Sequence, residues 1–168
     1  MGTTIITGFW TFFCNPKYWA VDDFLRTHRI GAKSEYRITT WQKDFFEKGQ
    51  LGVIRVGFDF RNSSELNGRM RLERGVYAVV EVTGKALPFG KSKSNFKIDH
   101  QQNEKERFSV PVRYIRNYIN HPILLTSIEG DRLISLDRYL VKGIQAASMP
   151  LHEDAFNRIL LYGEEGGA

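Results

Sequence analysis

The stretch Phe9-Trp10-Thr11-Phe12-Phe13-Cys14, halted by Asn15-Pro16, decides how the rest of the chain is read. Six residues this rich in aromatic side chains fit a buried strand better than a helix, and the proline that follows ends any ladder there. Downstream, Val21, Phe24 and Leu25 share one face of a short helix whose early acids, Asp22 and Asp23, suit its dipole. Gly31–Thr40 is polar and basic and reads as a loop, and Trp41–Lys48 reads as one or two helical turns ended by Gly49. Val53–Phe60 and Gly75–Val82 read as strands, with Arg61–Arg74 between them as a hairpin segment turning at Asn67-Gly68. A polar segment runs from Gly84 to Gln102, after which Arg107–Tyr118 resumes a strand pattern. Ile123–Leu140 mixes a turn at Glu129-Gly130-Asp131 with helical positions, and Glu153–Leu161 closes the chain as a helix. Irregular strands with helices near both ends predict an α+β fold, a small, partly open β-barrel with short flanking helices.

The 168 residues suit one domain, placed at 1–163, with 164–168 as a flexible tail or linker stub. The chain is 42% hydrophobic and 26% charged without low-complexity runs, which excludes disordered and collagen-like classes. No apolar stretch is long enough to span a membrane, so no membrane partner is expected. A single cysteine forms no internal disulfide, and Met1–Thr7 lacks the basic start and apolar stretch of a signal peptide. The expectation is a cytoplasmic protein. A net charge of +5 fits an anionic partner such as nucleic acid.

Catalytic signatures are missing. His28, His100, His121 and His152 are scattered without metal-ligand spacing, and Cys14 lies inside an apolar strand where a thiol usually packs. Gly84–Ser92 has five residues between its glycines where a phosphate loop needs four. A binding domain without cofactor, metal or catalytic residue is therefore expected. Its candidate phosphate contacts are Arg61, Arg69 and Arg71 in the hairpin segment, beside Arg74, and Lys91 and Lys93 in the polar segment, where Phe89 and Phe96 are interleaved with the lysines. Basic residues with interleaved aromatics supply phosphate neutralisation and base stacking. Trp10 reads as core. Trp19, after Lys17-Tyr18 beyond a strand end, and Trp41, between Thr39-Thr40 and Gln42-Lys43, are candidates to line a pocket.

These residues resemble a known family. Phe9-Trp10 through Asn15-Pro16, then Asp22-Asp23-Phe24, is similar to the opening of EVE domains, members of the PUA-like superfamily related to YTH domains. Trp41, the glycine-led strand Gly75–Val82 and the closing segment Leu151–Leu160 fall in matching order. The resemblance implies a reader of modified bases, in some relatives the specificity domain of a modification-dependent restriction system with a nuclease fused or encoded separately. It implies a pocket between the end of the first strand, the loop after the first helix and the middle strands. Trp41 would be the first aromatic wall and Asn15 a base-edge contact, with Cys14, Tyr18, Trp19, Thr40, Gln42, Asp59 and Phe89 as further lining. Phe13, Cys14 and Asn15 depart from the family's usual Lys, Ser and Glu, and Gln42–Phe46 replaces its Arg-Asn-Tyr-Gln-like run. A more apolar strand end favours a 5-substituted pyrimidine, so duplex DNA carrying 5-methylcytosine or 5-hydroxymethylcytosine is the expected partner. N6-methyladenine and RNA are the alternatives.

Overall fold

In the computed structural model, which describes residues 5–89 and 107–166, eight strands join one mixed sheet. These are β1 (Phe9–Cys14), β2 (Lys33–Arg37), β3 (Leu51–Val56), β4 (Gly75–Val82), β5 (Leu87–Phe89), β6 (Arg107–Asn117), β7 (Ile123–Leu124) and β8 (Ser148–Pro150). The helices are α1 (Val21–Thr27), α2 (Ser63–Leu66), α3 (Leu125–Ile128), α4 (Arg132–Ser135), α5 (Arg138–Lys142) and α6 (Glu153–Gly166), with a 3-10 helix at Thr40–Phe45. The sheet order is β2-β6-β4-β3-β1-β8, with β5 on β6 and β7 on β4. Only β1 and β3 of the paired strands run parallel, from Phe9↔Leu51 to Cys14↔Val56. The sheet curls into a half-barrel, the partly open barrel that the irregular strands predict.

Side-chain alternation divides two cores. Trp10, Phe12 and Cys14 of β1, Ile54 and Val56 of β3, and Ala78, Val80 and Val82 of β4 point into the barrel with Tyr36 and Tyr114. Val53, Val76 and Val79 face the opposite way, onto Leu125, Ile128, Ile134, Leu140, Phe156 and Ile159 of the helices. The alternation of β4 breaks at Tyr77 and Ala78, which both face the barrel, where its register with β3 shifts between Ile54 and Arg55. The open seam is spanned by hydrogen bonds that converge on Ser148. The Thr39 backbone N–H donates to Ser148 Oγ at 3.0 Å, and the Thr39 hydroxyl donates to the Ser148 carbonyl at 2.7 Å.

Four expectations need correction. Gly31–Thr40 contains a strand, β2, whose sequence Lys-Ser-Glu-Tyr-Arg buries Tyr36 alone, so its polar exposed face hides the pattern. Arg61–Arg74 is no hairpin. Asn62 accepts from the Glu65 N–H at 2.8 Å while Glu65 accepts from the Asn62 N–H at 3.1 Å, a capping box that starts α2. Asn67, at φ 49°, then ends that helix in the left-handed region. β3 stops at Val56, leaving Gly57–Phe60 irregular, and α6 runs on through Glu164 and Glu165, which read as tail.

Gly75 begins β4 where β7 crosses it, and a Cβ there would strike the Ile123 carbonyl. That neighbour is backbone and does not swing aside. Gly75→Ala should therefore lower stability by about 1–3 kcal/mol, measured by urea unfolding, by the usual cost of overpacking.

Candidate nucleic-acid interface

Because β1 and β3 are parallel, their last residues, Cys14 and Val56, emerge at the same end of the barrel. Asn15 organises the turn there: its carbonyl accepts from the N–H groups of Tyr18 and Trp19, and its Oδ1 accepts from the Lys17 N–H at 3.0 Å. Trp19 is thereby set over the barrel end, where its Nε1 donates to Tyr36 Oη at 3.3 Å and its carbonyl accepts from the Cys14 thiol at 3.8 Å. Tyr36 in turn shares a hydrogen bond with Tyr114 and lies 5.5 Å from the Phe12 ring. Three residues on, Thr39 binds Ser148, which pairs with Phe12, and the Phe13 N–H donates to Ala147. These contacts close a ring around the mouth: Cys14, Trp19, Tyr36, Thr39, Ser148 and back to β1.

The rim is aromatic. Trp19 is 37% exposed, Trp41 51% and Tyr18 78%, and Trp41 is braced edge-on by Phe45 at 6.4 Å. Within the ring the titratable groups are neutral. Burial pushes the Cys14 thiol far above its usual range, with the Asp22 charge adding to the effect, and burial raises Tyr36 likewise. A neutral, partly desolvated mouth suits an uncharged flat ring, because a phosphate would lose its hydration there without a counter-charge.

Of the expected lining, Cys14, Asn15, Trp19 and Tyr18 come together at this end, and Thr40 and Trp41 sit exposed on the 3-10 helix beside it. Gln42 does not face a ligand. It is buried, its Nε2 donating to the Ser148 carbonyl at 3.1 Å and its Oε1 accepting from Ser148 Oγ at 2.6 Å, so it struts the helix against β8. The backbone of Phe89 pairs with Arg107, next to Phe108, whose carbonyl accepts from the Ile38 N–H. Lys91 and Lys93 lie outside the described residues.

Asp59 and Arg61 need the largest correction, since neither meets solvent. The Arg61 guanidinium is buried between two carboxylates, donating to Asp59 Oδ1 at 2.9 Å and Oδ2 at 2.7 Å and to Asp22 at 3.1 and 3.2 Å. The Leu72 N–H donates to Asp59 as well, at 2.9 Å. Arg69, assigned to phosphate, pairs with Asp23 and donates to the carbonyls of Leu66 and Glu65, both at 2.7 Å. Arg71 alone of these three stays exposed, although its Nη1 donates to the Asp59 and Arg61 carbonyls. Asp22 had read only as a helix-dipole partner, so its long-range pairing with Arg61 was invisible.

Other contributors went unread. Tyr36 and Tyr114 build the ring from strands whose function the sequence does not mark. Phe58 and Phe60, read as strand, are 59% and 67% exposed with rings 5.9 Å apart, and Arg74 lies 4.3 Å over Phe58. The signal available was Gly57, which breaks the alternation before them. Two open concavities, of about 300 and about 290 Å³, share Arg71, Leu72 and Glu73 in their walls. Among the described residues no group of histidine, cysteine or carboxylate side chains could hold a metal ion, and no helix is long and apolar enough to cross a membrane.

No protein family and no curated protein matches the sequence. Solved structures do match the fold. A protein of Leishmania major is 15% identical, with a TM-score of 0.64 over 95% of this chain and 96% of that one. The DUF55 domain of human thymocyte nuclear protein 1 is 12% identical, with a TM-score of 0.62 over 93% and 98%. Human THYN1 protein, solved in complex with 5-methylcytosine-containing DNA, is 13% identical with a TM-score of 0.61 over 93% and 97%. The half-barrel is thus the fold of these proteins.

The Asp59 carboxyl tests the buried cluster. Burial alone would raise it, but hydrogen bonds from Arg61 and from the N–H groups of Leu72 and Arg61 prevail and hold it at about 2. A depressed carboxylate contributes stability above its unfolded pKa that disappears as pH falls through the folded one. Stability should therefore fall by about 2 kcal/mol between roughly pH 4 and pH 2, at 1.36 kcal/mol per unit. In Asp59→Asn that slope should flatten, while stability at neutral pH drops by about 3–5 kcal/mol. Urea titrations across this pH range provide the check.

Proposed function

We propose that this chain is a DNA-binding module that takes a modified base, 5-methylcytosine or 5-hydroxymethylcytosine, out of a duplex and into the ring at the barrel mouth. The observation that carries the reading is the neutral, aromatic-rimmed mouth formed by Trp19, Tyr36 and Trp41. A protein of the same fold, human THYN1, has been solved with 5-methylcytosine-containing DNA, which supports the choice of ligand. The energetics are consistent with it. Extrusion costs a few kcal/mol of stacking and pairing. Stacking on aromatic walls returns ~1–3 kcal/mol per base. One extra buried methyl adds only ~0.8 kcal/mol. Discrimination beyond a few-fold must then come from shape and from polar groups at the rim, where Asn15 and Thr40 are exposed.

In this reading the chain is the specificity domain of a cytoplasmic, modification-dependent restriction system, and cleavage belongs to a nuclease fused to it or encoded separately. Matched duplexes carrying cytosine, 5-methylcytosine, 5-hydroxymethylcytosine, adenine or N6-methyladenine at one site, with an RNA counterpart, test it at two salt concentrations. The expected result is a preference for one modified cytosine that survives added salt, since base contacts do not release counterions. Trp41→Ala should bring the modified-to-unmodified affinity ratio to about one, removing the ~1–3 kcal/mol of stacking. Equal binding to every duplex, fading with salt, would overturn the reading, and tighter binding to RNA would move the protein to the RNA-reading class.

A further inference from the structure

We infer that Phe58, Phe60, Arg71 and Arg74 form a second nucleic-acid contact, a platform on which bases next to the extruded one stack while the arginines hold their phosphates. The position of that neighbour rests on the reading of the mouth given above. The stacking chemistry of the platform itself does not.

Placement comes first. The Gly57 N–H donates to the Cys14 carbonyl at 3.1 Å, so Phe58 follows directly on the residue that joins the end of β3 to the end of β1. The platform and the mouth therefore open at the same end of the barrel, with Asn15 between them in the chain path. Loop 57–61 is also clamped: Asp59 and Arg61 within it are buried against Asp22 of α1, which leaves the alternate residues, Phe58 and Phe60, turned outward. Their exposure is a consequence of burying the ions between them.

Chemistry comes second. The two rings are tilted by 39° at 5.9 Å, and Arg74 covers part of Phe58. The concavities beside them are lined by Arg26, Arg71 and Arg74. Asp59 and Glu73 are the acids there; Asp59 lies against Arg61 and Arg26 pairs with Asp22 at 3.9 Å, which leaves Arg71 and Arg74 against Glu73, a positive surplus. Exposed aromatic faces among cations are what single-stranded or unstacked nucleotides require. A second copy of this chain is a poorer occupant, because two such faces carry charge of the same sign.

The test uses the whole chain and three variants, Phe58→Ala/Phe60→Ala and Trp41→Ala at exposed positions and Arg74→Gln at a half-buried one. The probes are a single-stranded oligothymidylate and the 5-methylcytosine duplex with its unmodified match. The double phenylalanine variant should bind oligothymidylate and both duplexes about ten-fold or more weakly, leaving the modified-to-unmodified ratio unchanged. Arg74→Gln should lower the slope of log affinity against log salt for oligothymidylate by about 0.7. Wild-type affinity of the double variant for every probe would overturn the platform. So would loss of self-association in sedimentation with DNA binding intact, since that result assigns the patch to a second copy. If the double variant weakens binding while Trp41→Ala leaves the ratio intact, the platform stands and the base-reading mouth falls.

Discussion

The whole arrangement depends on one buried guanidinium. Arg61 lies between Asp22, in the first turn of α1, and Asp59, in the loop after β3, and each of the three side chains is almost without solvent contact. Two carboxylates about one cation would leave a net negative charge in the interior. Arg69, 3.7 Å from Asp22, offsets it and carries the pairing outward to Asp23. Such a cluster adds little stability compared with a well-packed apolar replacement, yet losing one member leaves a buried charge uncompensated. Its consequence is positional. It fixes α1 and the 57–72 loop to each other; the turn carrying Tyr18 and Trp19 leads into α1, and the phenylalanine patch stands on the loop.

A second buried arginine does comparable work on the opposite side. Arg55 donates from Nε to the Leu140 carbonyl at 2.9 Å and from Nη2 to Val141 at 3.1 Å, capping α5 where Gly143 approaches within ordinary reach only because it lacks a side chain. Burial, and then the charge of Arg74, lowers its pKa to about 10, so it remains a cation at neutral pH. Arg55 cannot touch a ligand, but it tethers the helical layer to β3. The barrel end is held from two directions, by Asp22 through Arg61 and by α5 through Arg55.

What could be read beforehand follows from how local each signal was. β1 and β4 announce themselves as short apolar runs rich in aromatic or β-branched residues, and the closing helix by its apolar face, since each pattern lies within one segment. β2 does not, because an edge strand that buries one residue carries no period. Trp19 and Trp41 were legible as residues outside the core because a tryptophan among polar neighbours has little core to join. Asp59 and Arg61 looked like free polar groups, and their roles were set by Asp22, 39 residues from Arg61. Gln42 was misread for the same reason, its partner Ser148 being 106 residues away. Residues whose function is to bind another distant residue are the ones a linear reading mistakes for ligand contacts.

In the proposed reading, that distinction also separates affinity from selectivity in space. The mouth contains neutral groups, Cys14, Tyr36 and Tyr114, whose burial keeps them uncharged. A base in it is judged by shape and by a few hydrogen bonds, neither of which salt screens strongly. Arg71 and Arg74, the cations the platform offers to a phosphate, stand outside it next to Phe58 and Phe60. In that reading, attraction along the backbone does not blur the choice of base, because the described titratable groups within the ring are neutral. The buried ion cluster makes this division possible: by keeping Arg61 and Arg69 occupied with carboxylates, it removes from the mouth two charges that would otherwise draw any nucleotide there.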